Sequence, residues 1–170
     1  MPVFARTKLV IQEDCYREKP ERFTLKYSGK SPLKFYEKTY EILKNVFRAS
    51  DSDIEEEQYN WSVGPVQRFK VRWYLHKDID PYSYFYIRVD VSGEGDEKNG
   101  KITIRVKPVM RTEYPQDTFW QRSLLYEILR TFWHRVFYAR KMEEYLEECR
   151  NLCTLFQREL DRAFKGLKEE

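Results

Sequence analysis

The sequence predicts an α+β fold: an antiparallel sheet of four to six strands with helices on one face, the other face open or covered by a partner. Three observations carry that expectation. From Arg68 to Arg111, large apolar residues alternate with basic residues and tyrosine, the period-two mark of strands buried on one side. From Thr118 to Lys165 there is neither glycine nor proline, and apolar residues recur at spacings of three and four. A shorter stretch, Pro32 to Arg48, has the same helical spacing.

Composition sets the bounds. The chain has 170 residues and a mass of 20.9 kDa, which suit one domain, 1–170, burying about two-thirds or more of its unfolded surface without metal or disulfide. Aromatic residues make up 16%, so the mean hydropathy of -0.78 reflects charge and not disorder. Charged residues reach 35%, and Lys, Arg and Glu far outnumber Asn and Gln, a balance common in proteins from hot environments. A net charge of +3 is too small for the whole-molecule field to drive polyanion binding, so such binding would come from local clustering. The three cysteines, Cys15, Cys149 and Cys153, lack paired spacing, and Met1 to Val10 has no apolar signal segment. No run reaches the ~18 apolar residues of a spanning helix. The expectation is a reduced, cytoplasmic protein with no membrane partner.

Ala5 to Gln12 and Arg22 to Tyr27 read as two short strands. Ser28 to Pro32 then gives a turn, with Ser31 as helix cap and Pro32 as the first helical residue. Leu33, Tyr36, Tyr40, Leu43 and Phe47 follow at helical spacing. An acidic linker, Asp51 to Glu57, leads into a four-stranded meander. Its first strand runs through Tyr59, Trp61 and Val63 to a turn at Gly64-Pro65. The next three turn Phe69, Val71, Trp73 and Leu75, then Phe85, Ile87, Val89 and Val91, then Ile102, Ile104 and Val106 inward. Asp78 to Pro81 and Gly93 to Gly100 carry the turn chemistry between them.

A continuous helix from Thr118 to Lys165 would run roughly 70 Å, against roughly 40 Å for a compact chain of this length. It therefore bends back or projects. Leu125, Leu129, Phe132, Val136 and Ala139 step in one phase, and Met142, Leu146, Cys149, Cys153, Phe156, Leu160, Ala163 and Leu167 in another, which places a break near Ala139 to Met142. The first half is expected to cover the sheet. Segment 140–168 is expected to pack on Pro32 to Arg48 or to project as an oligomerisation helix, with Leu146, Cys149, Cys153, Phe156 and Leu160 as a homodimer seam.

The candidate binding face is the outward half of the alternation: Arg68, Lys70, Arg72, Tyr74, Tyr84, Tyr86, Arg88, Arg105 and Lys107. Hairpin geometry sets Arg88 opposite Arg72 or Lys70, and opposite Arg105 or Lys107, with Asp90 relieving only part of the row. Like charges face to face cost up to about 1 kcal/mol per pair, so the face asks for an acidic neighbour. The tyrosines offer flat surfaces of the kind on which sheets hold single-stranded nucleic acid. Three readings stay open: a solvated face, an acidic cover from the chain or a twin, and nucleic acid or another polyanion. Two acidic runs could supply the cover, Asp51, Asp53, Glu55, Glu56 and Glu57, and Glu143, Glu144, Glu147 and Glu148 on the late helix. The first run lacks the glycine and terminal glutamate of a calcium loop.

Cys149 and Cys153 stand four apart, as two metal ligands would, but His76 lies on the exposed strand face and His134 about four turns away along the same helix. Packing is their expected role. Neither histidine has a nucleophile or an orienting carboxylate tied to it, and no phosphate loop, dinucleotide fingerprint or nucleophile elbow is present. The expected function is a non-enzymatic interaction module, without metal or cofactor, whose basic face engages an acidic protein or nucleic acid. The element order is also broadly similar to the helix-grip folds, which implies as an alternative a carrier of a small apolar ligand. Against it, bulky inward residues such as Tyr59, Trp61, Phe69, Trp73, Phe85 and Ile87 would face Phe119, Leu125, Phe132 and Val136 and fill that layer. A purely structural homo-oligomer is the third alternative.

Overall fold

A computed structural model describes residues 10–16, 21–29, 32–62, 64, 66–96 and 99–169, with 32, 33 and 167–169 by backbone alone. In chain order the elements are β1 (Val10–Asp14), β2 (Phe23–Gly29), α1 (Pro32–Phe47), β3 (Ile54–Ser62), β4 (Gln67–Asp78), β5 (Ser83–Gly95), β6 (Gly100–Glu113), α2 (Leu124–Val136) and α3 (Ala139–Glu169). The class is the predicted α+β. Residues 5–9 of the first predicted strand, the cap Ser31 and the strand residue Val63 lie outside the described residues.

β3 to β6 form the predicted antiparallel meander, and β1 and β2 sit end to end along the free edge of β6. Val106 is the last β6 residue paired with β2, and Val109 the first paired with β1. Pro108 falls in the gap between them. In an antiparallel ladder a residue's N–H and C=O point to the same side. The Pro108 carbonyl accepts the Cys15 N–H at 3.3 Å, so its missing donor faces that gap and costs β5 no bond. Gly93 marks a close approach of another kind, because a Cβ there would come within 2.4 Å of the Phe69 ring on the neighbouring strand.

The acidic linker is corrected in part. Asp51–Asp53 is a 3-10 turn, but Ile54–Glu57 already belongs to β3, which bulges between Glu56 and Gln58. The extra residue changes the strand's phase. Glu56 stays on the apolar side and accepts the Trp73 indole N–H at 3.1 Å, while Glu57 reaches Arg72 on the other side.

The core lies between the apolar side of the sheet and the pair α1 and α3. Rings fill it in contact: Tyr36 meets Trp61, Phe69 and Trp73, Tyr27 and Phe35 stack with Phe164, and Phe156 packs on Phe23 and Phe47. The helical break falls at Phe137–Tyr138, two residues before the predicted place. Tyr138 is the buried anchor there, its hydroxyl 2.7 Å from Ser83 Oγ and 2.6 Å from an Asp80 carboxylate oxygen.

α3 packs on α1, the first of the two expected alternatives, but it is α3 and not α2 that covers the sheet. Leu146, Cys149, Cys153, Phe156 and Leu160 are buried in the chain's own core, so they are not free to form a dimer seam, and 140–168 packs inward instead of projecting. Phe119, Leu125, Phe132 and Val136, expected over the sheet, are exposed. The cysteine reading is corrected too. Cys15 and Cys149 form a disulfide that ties β1's end to α3, leaving Cys153 as the free thiol, fully buried and pushed up to about 12 by that burial, with Tyr16 beside it. His134 belongs to α2, not to the cysteines' helix, and no metal-binding group of side chains exists among the described residues. No helix among them is long and apolar enough to cross a membrane.

Candidate binding faces

The strand register brings all nine candidate residues onto one side of the sheet, away from α1 and α3. Arg88 stands opposite Lys107, one of the expected partners, but on its other side it faces Tyr74 and not a cation. Arg72 and Arg105 both face Asp90. The Arg72–Asp90–Arg105 row therefore alternates in sign across the strands, whereas Arg88 and Lys107 face each other as like charges.

Asp90 is its hub. Arg72 Nε donates to Asp90 Oδ1 at 2.7 Å, and Arg88 Nε donates to Oδ2 at 2.8 Å. The bulge of β3 adds Glu57, which accepts Arg72 Nη1 at 2.8 Å. Partial burial opposes ionisation of Asp90, yet Arg88 and Arg72 hold its carboxyl below the usual range, while Asp90 and Glu57 hold Arg72 charged. Arg68 lies 3.6 Å from Glu94, and Lys107 lies 3.8 Å and 3.6 Å from Asp14 and Glu21. The acidic cover thus comes in part from the chain itself, through Glu57 of the first acidic run. Asp51 accepts Lys44 and Tyr40, and Asp53 accepts the Ser50 N–H, while Glu55 stands on the same side of the sheet opposite Tyr74. On α3, Glu143 meets Arg150 and Glu144 meets Arg140.

Two parts of the face remain open. Lys70 and Arg105, joined by Lys26 and Lys101 from the neighbouring rows, are exposed and make no ion pair among the described residues. Toward the opposite end, Tyr74 stacks on Tyr86 at 5.0 Å, and the Arg111 guanidinium covers the other side of Tyr86 at 3.9 Å. His76 stacks on Tyr84 at 4.1 Å, and the Tyr84 hydroxyl donates to Glu113 at 2.5 Å. Burial raises the Tyr86 and Tyr84 hydroxyls, so both stay neutral and present polar tips at ordinary pH. Arg111 ends the alternation expected from the sequence but is not among the nine candidate residues.

Sequence reasoning missed the second face. α2 is turned inside out: Arg130 and His134 are its buried residues, at 5% and 6% exposure, while Leu124, Leu125, Ile128, Leu129, Phe132, Trp133 and Val136 are each at least half exposed. At 100° per residue the apolar set sweeps about half of the circumference. Phe119 and Trp120 before the helix and Phe137 after it extend the patch. The buried side faces Tyr114, whose hydroxyl lies 2.9 Å from His134 Nδ1 and whose ring lies under Arg130 at 5.9 Å. Burial, with Arg130 and Arg135 nearby, holds His134 neutral, and Ser123 caps the helix by accepting the Tyr126 N–H.

No protein-family model matches the chain, and no curated protein matches it significantly.

Proposed function

We propose that the chain is a non-enzymatic interaction module that binds through the open side of its sheet. Its partner is single-stranded nucleic acid, with phosphates on Lys26, Lys70, Lys101 and Arg105 and bases continuing the aromatic column. The observation that carries this reading is that one side of the sheet holds both cations without an ion pair among the described residues and, beyond the Arg72–Asp90–Arg88 cluster, the stack of Tyr74, Tyr86 and Arg111. Cations that track a backbone beside rings that take bases are what sequence-tolerant single-strand binding needs. Self-association is the second part of the proposal, because the large apolar face of α2 is costly to leave in water.

Fluorescence anisotropy with single-stranded RNA and DNA tests the first part. Four phosphate contacts give a slope of log K against log salt of about −3, at about −0.7 per contact. A Lys70→Ala/Arg105→Ala variant should lower that slope by roughly 1.4, and Tyr74→Ala, which removes the outer ring of the column, should weaken binding by roughly 1–3 kcal/mol at any salt. No binding at low salt, or binding unchanged in both variants, removes the nucleic-acid reading. A specific observation favours one alternative in that event. Arg72 and Arg88 already share Asp90, so the centre of the face is electrostatically satisfied, as in a solvated face on a purely structural homo-oligomer.

A further inference from the structure

We infer that the exposed apolar face of α2 is the contact between two copies of this chain, paired antiparallel about a twofold axis near Thr131. This rests on the self-association part of the proposed function and is independent of nucleic-acid binding. The size of the face is the first argument. With large side chains at roughly 200 Å² each, the apolar residues from Phe119 to Phe137 expose on the order of 1,000 Å². The largest patch on a typical monomer is about 300–600 Å², and a standard stable interface takes about 800 Å² from each partner.

The edge of the face supplies the second argument. Glu127, Thr131 and Arg135 step by four along one flank and, with Leu124, Ile128 and Phe132, line a shallow groove of about 580 Å³. In an antiparallel pair related by a twofold axis, each flank meets its own copy in reversed order. The Glu127 of each copy then meets the Arg135 of the other, and Thr131 meets Thr131. The strip is thus complementary in charge to itself, as an isologous contact requires. Glu127 pairs within the chain only loosely among the described residues, through one oxygen 3.8 Å from Arg130 Nη2. A bilayer is a poorer occupant. A helix lying on a membrane turns its polar face to water, whereas the polar face of α2 is buried against Tyr114.

Sedimentation equilibrium of the full chain at tens of micromolar should give twice the 20.9 kDa chain mass. Ile128→Glu/Phe132→Glu replaces two exposed side chains, so the fold should survive by circular dichroism while dimer dissociation rises about 100-fold or more. Arg135→Glu, which sets like charges together twice, should weaken the dimer by about 10-fold in low salt and much less in high salt. A wild-type monomer at these concentrations overturns both the contact and the self-association reading. If that monomer also floats with anionic phosphatidylserine vesicles, the occupant of the face is a bilayer. A dimer that persists unchanged in Ile128→Glu/Phe132→Glu overturns the α2 contact alone and leaves self-association standing on another surface.

Discussion

Breaking the Cys15–Cys149 bridge should destabilise this chain more than any single surface change. The bridge spans a sequence separation of 134. In the chain-entropy account, a closed loop of that length restricts the unfolded ensemble by about 5 kcal/mol. A domain of this kind has only about 5–15 kcal/mol in total. The expected fall in Tm is roughly 10–20 °C, at about 2–4 °C per kcal/mol for this size. The measurement is thermal melting by circular dichroism of a Cys15→Ala/Cys149→Ala variant against the parent, at equal chain concentration because self-association also moves Tm. A thiol titration in denaturant without reductant should find one thiol per chain, Cys153. Reductant should act slowly on the native protein, since both bridged sulfurs belong to fully buried residues. Three titratable thiols in denaturant would refute the bridge. A variant melting within about 2 °C of the parent would refute the loop-entropy reasoning.

Two further outcomes follow from local geometry. Arg48 ends α1 in the left-handed region, at φ 49, where Ala49 N–H returns to the Lys44 carbonyl at 3.0 Å, a place that usually takes glycine. Its side chain is exposed, so Arg48→Gly should stabilise by about 1 kcal/mol and raise Tm by about 2–4 °C; an unchanged or lower Tm counts against it. The Asp80 carboxylate, at the turn between β4 and β5, accepts the Tyr82 and Ser83 N–H groups at 2.8 Å and the Tyr138 and Tyr145 hydroxyls at 2.6 Å and 3.1 Å. Burial raises its pKa, but these four bonds outweigh burial and hold it below 3.8. Because the folded value is depressed, its contribution is complete above about pH 4 and is lost as pH falls through the folded value. Asp80→Asn should therefore cost about 1–3 kcal/mol at pH 7, with the gap to the parent closing below about pH 4 in denaturant titrations. A gap constant down to pH 2.5 would contradict that origin.

The meander was legible because each strand buries one side only. Phe69, Val71, Trp73 and Leu75 leave a single register parity that keeps them out of water, and a slip by one residue would invert all of them. The Glu57 bulge was not legible, since one unpaired residue in a run of acids changes no composition or period. It decides the electrostatics all the same, by delivering a carboxylate to Arg72 that simple alternation places elsewhere. The disulfide was hidden for a related reason. Cys15 and Cys149 meet only because β1 pairs with the far end of β6 while α3 packs across the sheet, and spacing along the chain carries no trace of that.

Which of α2 and α3 covers the sheet turns on what the polar residues do. Both helices show apolar residues at three and four, so periodicity alone lets either one cover the sheet. In α3 the apolar positions form one narrow seam flanked by charges such as Glu147, Glu148 and Arg158, and only that seam can face a core. In α2 the apolar set is too wide for one contact, and the narrow polar side turns toward Tyr114, whose hydroxyl meets His134 Nδ1, while Arg130 Nε and Nη1 and His134 Nε2 have no hydrogen-bond partner among the described residues. A helix with two faces to satisfy can give its polar side to its own sheet only if something else takes the apolar side. A solitary chain would gain by rolling α2 to bury Ile128 and Phe132 and release Arg130. Tyr138, two residues beyond the end of α2, is hydrogen-bonded to Ser83 and Asp80 and ties the chain there to the sheet. Under the proposed pairing of two copies, the outward apolar side of α2 is the one the second copy covers.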